Sequence, residues 1–310
     1  MRITSAAVEA VRKTFSLVYQ QGYDAVQPWA PRIATSAPSN NRENVYGFLA
    51  KLPTMREWVG DRVLNNIAEH DFTVTNRDYE LSIEVDRNDI EDDNFGVHTP
   101  KLEMMGMAAR KQFDYLLVTL LQGGQSALCY DGQNFFDTDH PNSKFDAATG
   151  SQQNYWSSSR ALTLDNYVAT RAAMMGYLGE DGKPLAVMPN LLIVPPQLEH
   201  VGRQILQAEN IVNTAGATPA AGASVMTNVM RGTADLLVVP ELAGQATTWY
   251  LIDASKPMKP FVTQTRKAPQ FVNLGEGSEH AARTKKFMYG VDMRGAAGYG
   301  LWFLAAKCVA

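Results

Sequence analysis

Residues 72–96 read FTVTNRDYELSIEVDRNDIEDDNFG and predict a β-hairpin with one apolar and one charged face. Phe72 and Val74 alternate with threonines, residues 76–78 supply a turn, and apolar and polar residues then alternate from Tyr79 to Asp86. Such period-two alternation is typical of strands that are covered on one side. Because an isolated two-stranded ribbon is only marginally stable in water, we expect something outside the hairpin to cover its apolar face.

The composition is that of a folded protein. Of 310 residues, 45% are hydrophobic and 19% are charged, enough for a core in one large domain or two smaller ones. The net charge of -4 argues against a protein whose whole surface binds nucleic acid. Cys129 and Cys308 lie far apart without a CxxC motif, which predicts a reducing compartment and no disulfide framework. Without a secretory signal or a run of about 18 apolar residues, we expect synthesis in the cytosol and no membrane span.

Charge is distributed unevenly along the chain. From Glu80 to Glu103, eight acidic and two basic residues give a local balance of -6. From Lys256 to Ala310, nine basic and three acidic residues give +6. Two interpretations are open: the blocks are solvated faces of the subunit, or the acidic block of one copy meets the basic block of another.

The remaining pattern predicts an α+β fold. A first amphipathic helix is expected to end at Gly22, and the proline-containing residues 23–56 are expected to form an extended arm. Thr99-Pro100 begins a helix, and one continuous helix over residues 100–122 would be about 34 Å long. Beyond it, helical and strand patterns mix without an internal repeat.

No stretch carries a complete catalytic or metal-binding motif. The acidic run Asp89 to Asp93 fails as a calcium loop, because aligning Gly96 to the turn glycine places Phe95 and Leu102 where oxygen ligands are required. The loop from Asp131 to His140 contains three aspartates and a histidine, which could bind a metal or act as acid and base, but its Asp-Gly and His-Pro pairs are also ordinary turn chemistry. We therefore predict no catalytic residue, no metal and no cofactor.

Several stretches, in order along the chain, are similar to the Mu-like phage major head subunit family. They are Trp58 to Arg62, the hairpin and acidic turn through Asp92-Asp93 and Gly96, Tyr130-Asp131-Gly132-Gln133 with Phe136 to Pro141, Leu192 to Pro196, and Trp249 to Ile252 through Gln264-Thr265-Arg266. They span most of the chain, and the first fifty residues match less distinctly.

The resemblance implies the Hong Kong 97-type capsid fold of tailed phages. The parts it implies are an N-terminal helix and arm (1–56), an extended hairpin loop (57–98), a peripheral domain (99–159) with a spine helix (100–122), an axial domain (160–245) and a return to the peripheral sheet (246–310). It also implies a major head protein that assembles through hexamers and pentamers, in the host cytoplasm, into the icosahedral virion shell around double-stranded DNA. The partners would be portal, scaffold and decoration proteins, with weak contact to the packaged DNA and no membrane.

On this interpretation, the hairpin lies across a neighbouring subunit and hides its apolar face there. The predicted contact residues are Phe72, Val74, Tyr79, Leu81, Ile83, Val85, Glu91, Asp92 and Asp93. The possible basic partners are Arg266, Lys267, Arg283, Lys285 and Lys286. Deleting residues 73–86 is then expected to leave a soluble subunit that forms no particles.

Two alternative functions stay open. An encapsulin-like enzyme compartment shares the implied fold and would be distinguished by a cargo pocket. A metal-dependent hydrolase built on the Asp131–His140 loop is the enzymatic alternative, and a monomer with metal-dependent turnover would favour it.

Overall fold

The computed structural model describes residues 5–47, 71–92, 94–141, 150–179, 182–213, 224–274 and 278–310. Its α-helices are α1 Ser5–Asp24, α2 Ala30–Ile33, α3 Arg87–Glu91, α4 Thr99–Arg110, α5 Gln112–Gly123, α6 Leu164–Met175, α7 Glu199–Gln207 and α8 Glu279–Thr284. Its strands are β1 Ala34–Pro38, β2 Glu43–Gly47, β3 Asp71–Thr75, β4 Arg77–Asp86, β5 His140–Pro141, β6 Ser151–Gln152, β7 Tyr155–Trp156, β8 Leu191–Val194, β9 Asn210–Asn213, β10 Ser224–Thr227, β11 Asp235–Val238, β12 Thr248–Ile252, β13 Phe261–Leu274, β14 Lys286–Tyr299 and β15 Ala305–Val309.

A four-stranded sheet is built around the two long strands β13 and β14. Its order is β1-β13-β14-β4, with β1 parallel to β13 and the other pairs antiparallel. Alternate residues of β14 (Phe287, Tyr289, Val291 and Met293) are buried, as period-two patterning requires. The first three of them pack with apolar residues of α1 and α4 in one hydrophobic cluster. One face of this sheet is therefore covered by two helices of the same chain.

A five-stranded sheet forms the larger core. Its order is β11-β8-β12-β15-β7, and β8 and β12, which read LLIV and TWYLI, are buried along their whole length. Continuous apolar strands of this kind are covered on both faces. The predicted domain boundary at residue 246 is wrong in one respect, because β12 and β15 join this sheet, and only β13 and β14 return to the four-stranded one.

Helices α1 and α4 cross at very short range, through a pair of glycines. A Cβ atom on Gly22 would lie 2.1 Å from the carbonyl oxygen of Glu103, and one on Gly106 would lie 2.2 Å from that of Tyr19. The prediction that Gly22 ends the first helix is wrong, since α1 continues to Asp24. Gly22 is needed because no side chain fits at the crossing.

The predicted long helix over residues 100–122 is found as two consecutive helices. Helix α4 ends at Arg110, α5 begins at Gln112, and Lys111 between them has φ -85° and ψ 0°. The location was therefore predicted correctly, but the continuity was not. Lys111 is nevertheless hydrogen-bonded to both helices, because its N–H donates to the Met107 carbonyl and its own carbonyl accepts from the Tyr115 N–H, both at 3.2 Å.

The described part of the predicted extended arm is packed against the subunit. Ala30, Ile33 and Ala34 are buried in the main core, and β1 hydrogen-bonds to β13. The buried Asp114 of α5 accepts a hydrogen bond from the Ala30 N–H at 2.7 Å. Desolvation raises the pKa of this carboxyl group, and the backbone hydrogen bonds it accepts oppose the rise. The arm is thus held to α5 by a buried carboxylate.

Lys307 of β15 is a buried base that closes the C-terminal end of α5. Its Nζ donates to the carbonyl oxygens of Leu121 and Gln122 at 3.4 and 3.2 Å, two of the orphan carbonyls that a helix end leaves. Desolvation lowers the pKa of Lys307 to about 8 from its ordinary value of 10.5. Below about pH 8, Lys307 is charged in both the folded and the unfolded protein, and burial of the charge destabilises the fold. As the pH rises from about 8 towards 10.5, the folded protein loses this proton first, so the destabilisation disappears.

Denaturant titrations of the wild type and of Lys307→Met, which lacks the titrating amine, measure this contribution. The buried thiols of Cys129 and Cys308 have raised pKa values and lower the stability of both proteins alike as the pH passes about 9. We therefore expect the difference in unfolding free energy, wild type minus Lys307→Met, to rise between pH 8 and pH 9.5 by about 1 kcal/mol per pH unit in a two-state analysis. Equal slopes in the two proteins would contradict the assignment.

Candidate functional site

The hairpin of this subunit is formed by different strands from those the sequence predicts. β3 pairs antiparallel with β2, from Glu43↔Thr75 to Gly47↔Asp71, as a two-stranded sheet of its own. β4 pairs instead with β14. The predicted hairpin between residues 72–75 and 79–86 is therefore wrong. The connection between β2 and β3, with the motif Trp58 to Arg62, lies outside the described residues.

The two-stranded sheet of β2 and β3 is the hairpin stem, and its base is fixed by buried polar side chains. Gln264 of β13 donates to the Val74 carbonyl and to Asn76 Oδ1, both at 2.9 Å, and accepts from the Tyr46 hydroxyl at 2.9 Å. Asn76, between β3 and β4, donates to Ser39 Oγ at 2.8 Å. The sequence predicts a turn at Asn76, and no sequence motif marks Gln264 for this role.

Strand β4 lies at the edge of the four-stranded sheet, and its apolar residues face the subunit's own interior to different degrees. Val85 is fully buried under α1 and α4, and Ile83 is half-buried beside it. Val74 of β3 is also buried. The prediction that a neighbouring copy covers these side chains is therefore wrong for Val74 and Val85. Leu81 is 42% exposed, and Phe72 and Tyr79 are half-buried.

An apolar groove follows this edge of the sheet. Its first part, of about 80 Å³, lies between β4 and the helix pair α4–α5, and is lined by Tyr79, Leu81 and Tyr115 among others. A second part, of about 390 Å³, lies between β3 and α5. Tyr79 lines both parts, so they adjoin. Edge strands leave backbone hydrogen-bonding groups unpaired, which makes this groove suitable for an extended segment.

The acidic and basic blocks of the sequence meet within one subunit. Lys286 of the basic block lies 2.8 Å from Glu84 of the acidic block, across the β14–β4 pair. Within the basic block itself, Lys267 lies 2.5 Å from Asp292. The hydrogen bond from Lys286 lowers the pKa of Glu84. The Glu84–Lys286 pair therefore stabilises the fold above the ordinary glutamate pKa, and this stabilisation is lost as the pH falls through the lowered pKa. With Arg283, which pairs with Glu279, three of the five predicted basic partners thus have acidic partners in their own chain.

The other predicted charged contacts lie at the surface or are engaged locally. Arg283 forms a pair with Glu279 on α8 at 3.2 Å, and Arg87 approaches Glu91 at 3.2 Å on α3. Asp92, Arg266 and Lys285 are exposed. Asp93 lies outside the described residues.

The loop from Asp131 to His140 is a structural element of the core. His140 is completely buried, its Nδ1 lies 2.6 Å from Asp131 Oδ2, and its ring stacks on Trp302 at 3.9 Å. Its Nε2 lies 3.2 Å from Asn154 Oδ1. Within the described ranges, no three His, Cys, Asp or Glu side chains converge as a metal-binding group. The contacts of His140 fit a packed turn better than an acid–base site.

None of the described helices is both long enough and apolar enough to cross a bilayer. Cys129 and Cys308 are free, buried thiols, and burial raises the pKa of Cys308 to about 12, so neither is set up as a nucleophile.

The N-terminal helix, hairpin stem, paired helices beside one sheet and second mixed core define a Hong Kong 97-type capsid fold. A subunit of the bacteriophage JBD30 procapsid is similar over 99% of this chain and 76% of its own length, with a TM-score of 0.59 and 29% sequence identity. A capsid of the same phage, decorated with minor capsid protein trimers, is similar over 70% of this chain and 91% of its own, with a TM-score of 0.54 and 25% identity.

The chain belongs to the family described as Mu-like prophage major head subunit gpT, whose model matches residues 8–157, 145–242 and 241–309. The major capsid protein of Escherichia phage Mu is 26% identical over 306 residues, which cover 98% of this chain and 74% of that protein. The protein is thus a major capsid protein of a tailed phage.

Proposed function

We propose that copies of this subunit assemble through hexamers and pentamers into an icosahedral shell around double-stranded DNA. The observation that carries the proposal is the hairpin stem β2–β3. It is a separate two-stranded sheet, fixed at its base by buried polar groups, and its Val45 is 60% exposed. A two-stranded ribbon is marginal by itself, and a neighbouring copy would supply the contact that it lacks.

The apolar groove along β4 is the surface that we propose receives a neighbouring copy. It combines an open strand edge with the exposed side chains of Leu81 and Tyr115. Repeated heterologous contacts of one surface with another close into rings when the rotation allows. Because Glu84 already pairs with Lys286, apolar contact rather than charge is expected to contribute most of the affinity.

The proposal extends to accessory partners, and family membership supports it. We propose assembly in the host cytoplasm, a portal, scaffold and decoration proteins as partners, and only weak contact with packaged DNA, in keeping with the net charge of -4. A virion shell is preferred to an encapsulin-like compartment because the family matched is that of head subunits. A hydrolase is disfavoured by the burial of His140.

The structure shows that a different deletion is needed to test the role of the hairpin. Removing residues 73–86 would remove β4 and the buried Val85, so a soluble subunit is no longer expected. Gly47 and Asp71 are paired neighbours, so residues 48–70 can instead be replaced by Asn-Gly, which favours a tight hairpin turn. We expect a folded subunit by circular dichroism and no closed particles by negative-stain microscopy.

A second ribbon of the chain supplies the matched control. Pro141 and Ser151 pair across β5 and β6, so Asn-Gly in place of residues 142–150 shortens another connection, and these subunits should still form shells. Leu81→Glu, in the groove, should block assembly as the shortened hairpin does. Normal shells from the shortened hairpin would overturn its proposed role.

A further inference from the structure

The polar cluster at the base of the hairpin has more hydrogen bonds than a simple turn requires. Gln264 is completely buried, and both of its amide hydrogens have acceptors, the Val74 carbonyl and Asn76 Oδ1. Its oxygen accepts from the hydroxyl of Tyr46. The side chain therefore contacts β2, β3 and the corner before β4 at the same time.

Asn76 extends the cluster to the connection between β1 and β2. Its amide nitrogen donates to Ser39 Oγ at 2.8 Å and to the Asn41 carbonyl at 2.9 Å. Its backbone N–H donates to the Arg42 carbonyl at 2.9 Å. Both strands of the hairpin are thus tied at their base to β13.

These hydrogen bonds fix the direction of the hairpin stem more strictly than apolar packing would. Hydrogen bonds weaken steeply when their angles change, and a buried amide that loses its partners is costly. Apolar side chains, in contrast, tolerate sliding because the hydrophobic effect is not directional. Tilting the hairpin stem against β13 would break several of these bonds together.

We propose that the Asn76–Gln264 pair is a positioning element that sets the angle at which the hairpin leaves the four-stranded sheet, and so the curvature of the assembled shell. The inference rests on the proposed function, since curvature has meaning only if the hairpin contacts a neighbouring copy. Its partner is a second copy of this chain.

Gln264→Met tests the proposal, because methionine keeps the length of the side chain and removes its hydrogen bonds. Asn228→Leu is the matched control: Asn228 is buried beside α7 and β10, and it donates to the carbonyls of Ile205 and Ala208 at 2.8 and 3.0 Å. Thermal unfolding and the particle diameters in cryo-electron micrographs are measured for each purified full-length variant.

Both variants should unfold at lower temperature than the wild type. Gln264→Met should lose the single particle diameter and give a mixture of sizes or open sheets, whereas Asn228→Leu should keep the wild-type diameter. A wild-type diameter for Gln264→Met would overturn the proposal and leave the proposed function intact. Failure of the wild type to form particles would instead remove the proposed function.

If Gln264→Met does not fold, Tyr46→Phe provides the second test. It removes only the hydroxyl that donates to Gln264, and leaves the amide pair in place. The expected result is a folded subunit with a broadened particle diameter. An unchanged diameter in this variant would contradict the positioning role.

Discussion

Replacing Gly106 with leucine is expected to detach helix α1 from the subunit. A Cβ atom at this position would lie 2.2 Å from the Tyr19 carbonyl oxygen and 2.7 Å from the Tyr23 nitrogen. These are backbone atoms, so no rotamer change can make room. The helix must move away, and Phe15 and Tyr19, which are buried beneath it, would become exposed.

The expected loss is about 3 kcal/mol or more, because overpacking and the exposure of two aromatic side chains add together. Denaturant unfolding measures this loss. Trypsin cleavage at Arg12 and Lys13 of α1 reports detachment directly, since a docked helix is a poor substrate.

Gly123→Ala is the control for Gly106→Leu. Gly123 is also helical, and its Cβ would meet nothing closer than the Tyr299 hydroxyl at 4.0 Å, so stability should be unchanged or slightly higher. If Gly106→Leu were as stable and as protease-resistant as the wild type, the close crossing of α1 and α4 would be refuted.

This crossing shows what local sequence signals can and cannot predict. A glycine near the end of an apolar stripe predicts a helix end, because glycine is the commonest residue there. The same residue type is also required wherever two backbones touch. Only the position of α4 distinguishes the two roles, and Gly22 carries no local sign of it.

The alternation from Tyr79 to Asp86 predicts the strand correctly but the strand that pairs with it incorrectly. Period-two patterning reports which face of a strand is buried, but it carries no information on the strand beside it. The turn residues at 76–78 made a local hairpin the simplest interpretation. In the structure, Asn76 is a buried residue between β3 and β4, and β4 pairs with β14, some 200 residues later.

The charge blocks had the same ambiguity. Their opposite signs predicted an attraction, and the pair Lys286–Glu84 is an example of one, but the sequence could not say whether the partners belong to one copy or two. The fold class and family were accessible because they depend on the order of many stretches. The assembly surface was less accessible, because it depends on which side chains remain uncovered after folding.

Asn154→Leu is expected to unfold much of the larger core. Asn154 is completely buried, and its amide nitrogen contacts the carbonyl oxygens of Phe135, Trp302 and Ala305 at 2.8, 3.1 and 3.1 Å. These carbonyls belong to the 130–141 loop region, to a 3-10 turn, and to β15. Leucine has a similar volume and no polar atom, so all three carbonyls lose the amide donor, and of them the Trp302 carbonyl still accepts from the Ala305 N–H.

Each unpaired buried group costs about 1–3 kcal/mol, and the Asp137 N–H also loses its acceptor, Asn154 Oδ1. The expected loss is therefore about 4 kcal/mol or more, a large fraction of the stability of an ordinary domain. Chemical denaturation measures the loss, and Asn166→Leu is the control. Asn166 donates one comparable hydrogen bond, to the Ala161 carbonyl at 2.8 Å, but at an exposed position. The difference between the two variants therefore reports the effect of burial. Asn166→Leu should lose less than about 1 kcal/mol. Equal losses in the two variants would show that Asn154 does not hold the loop, the turn and β15 together.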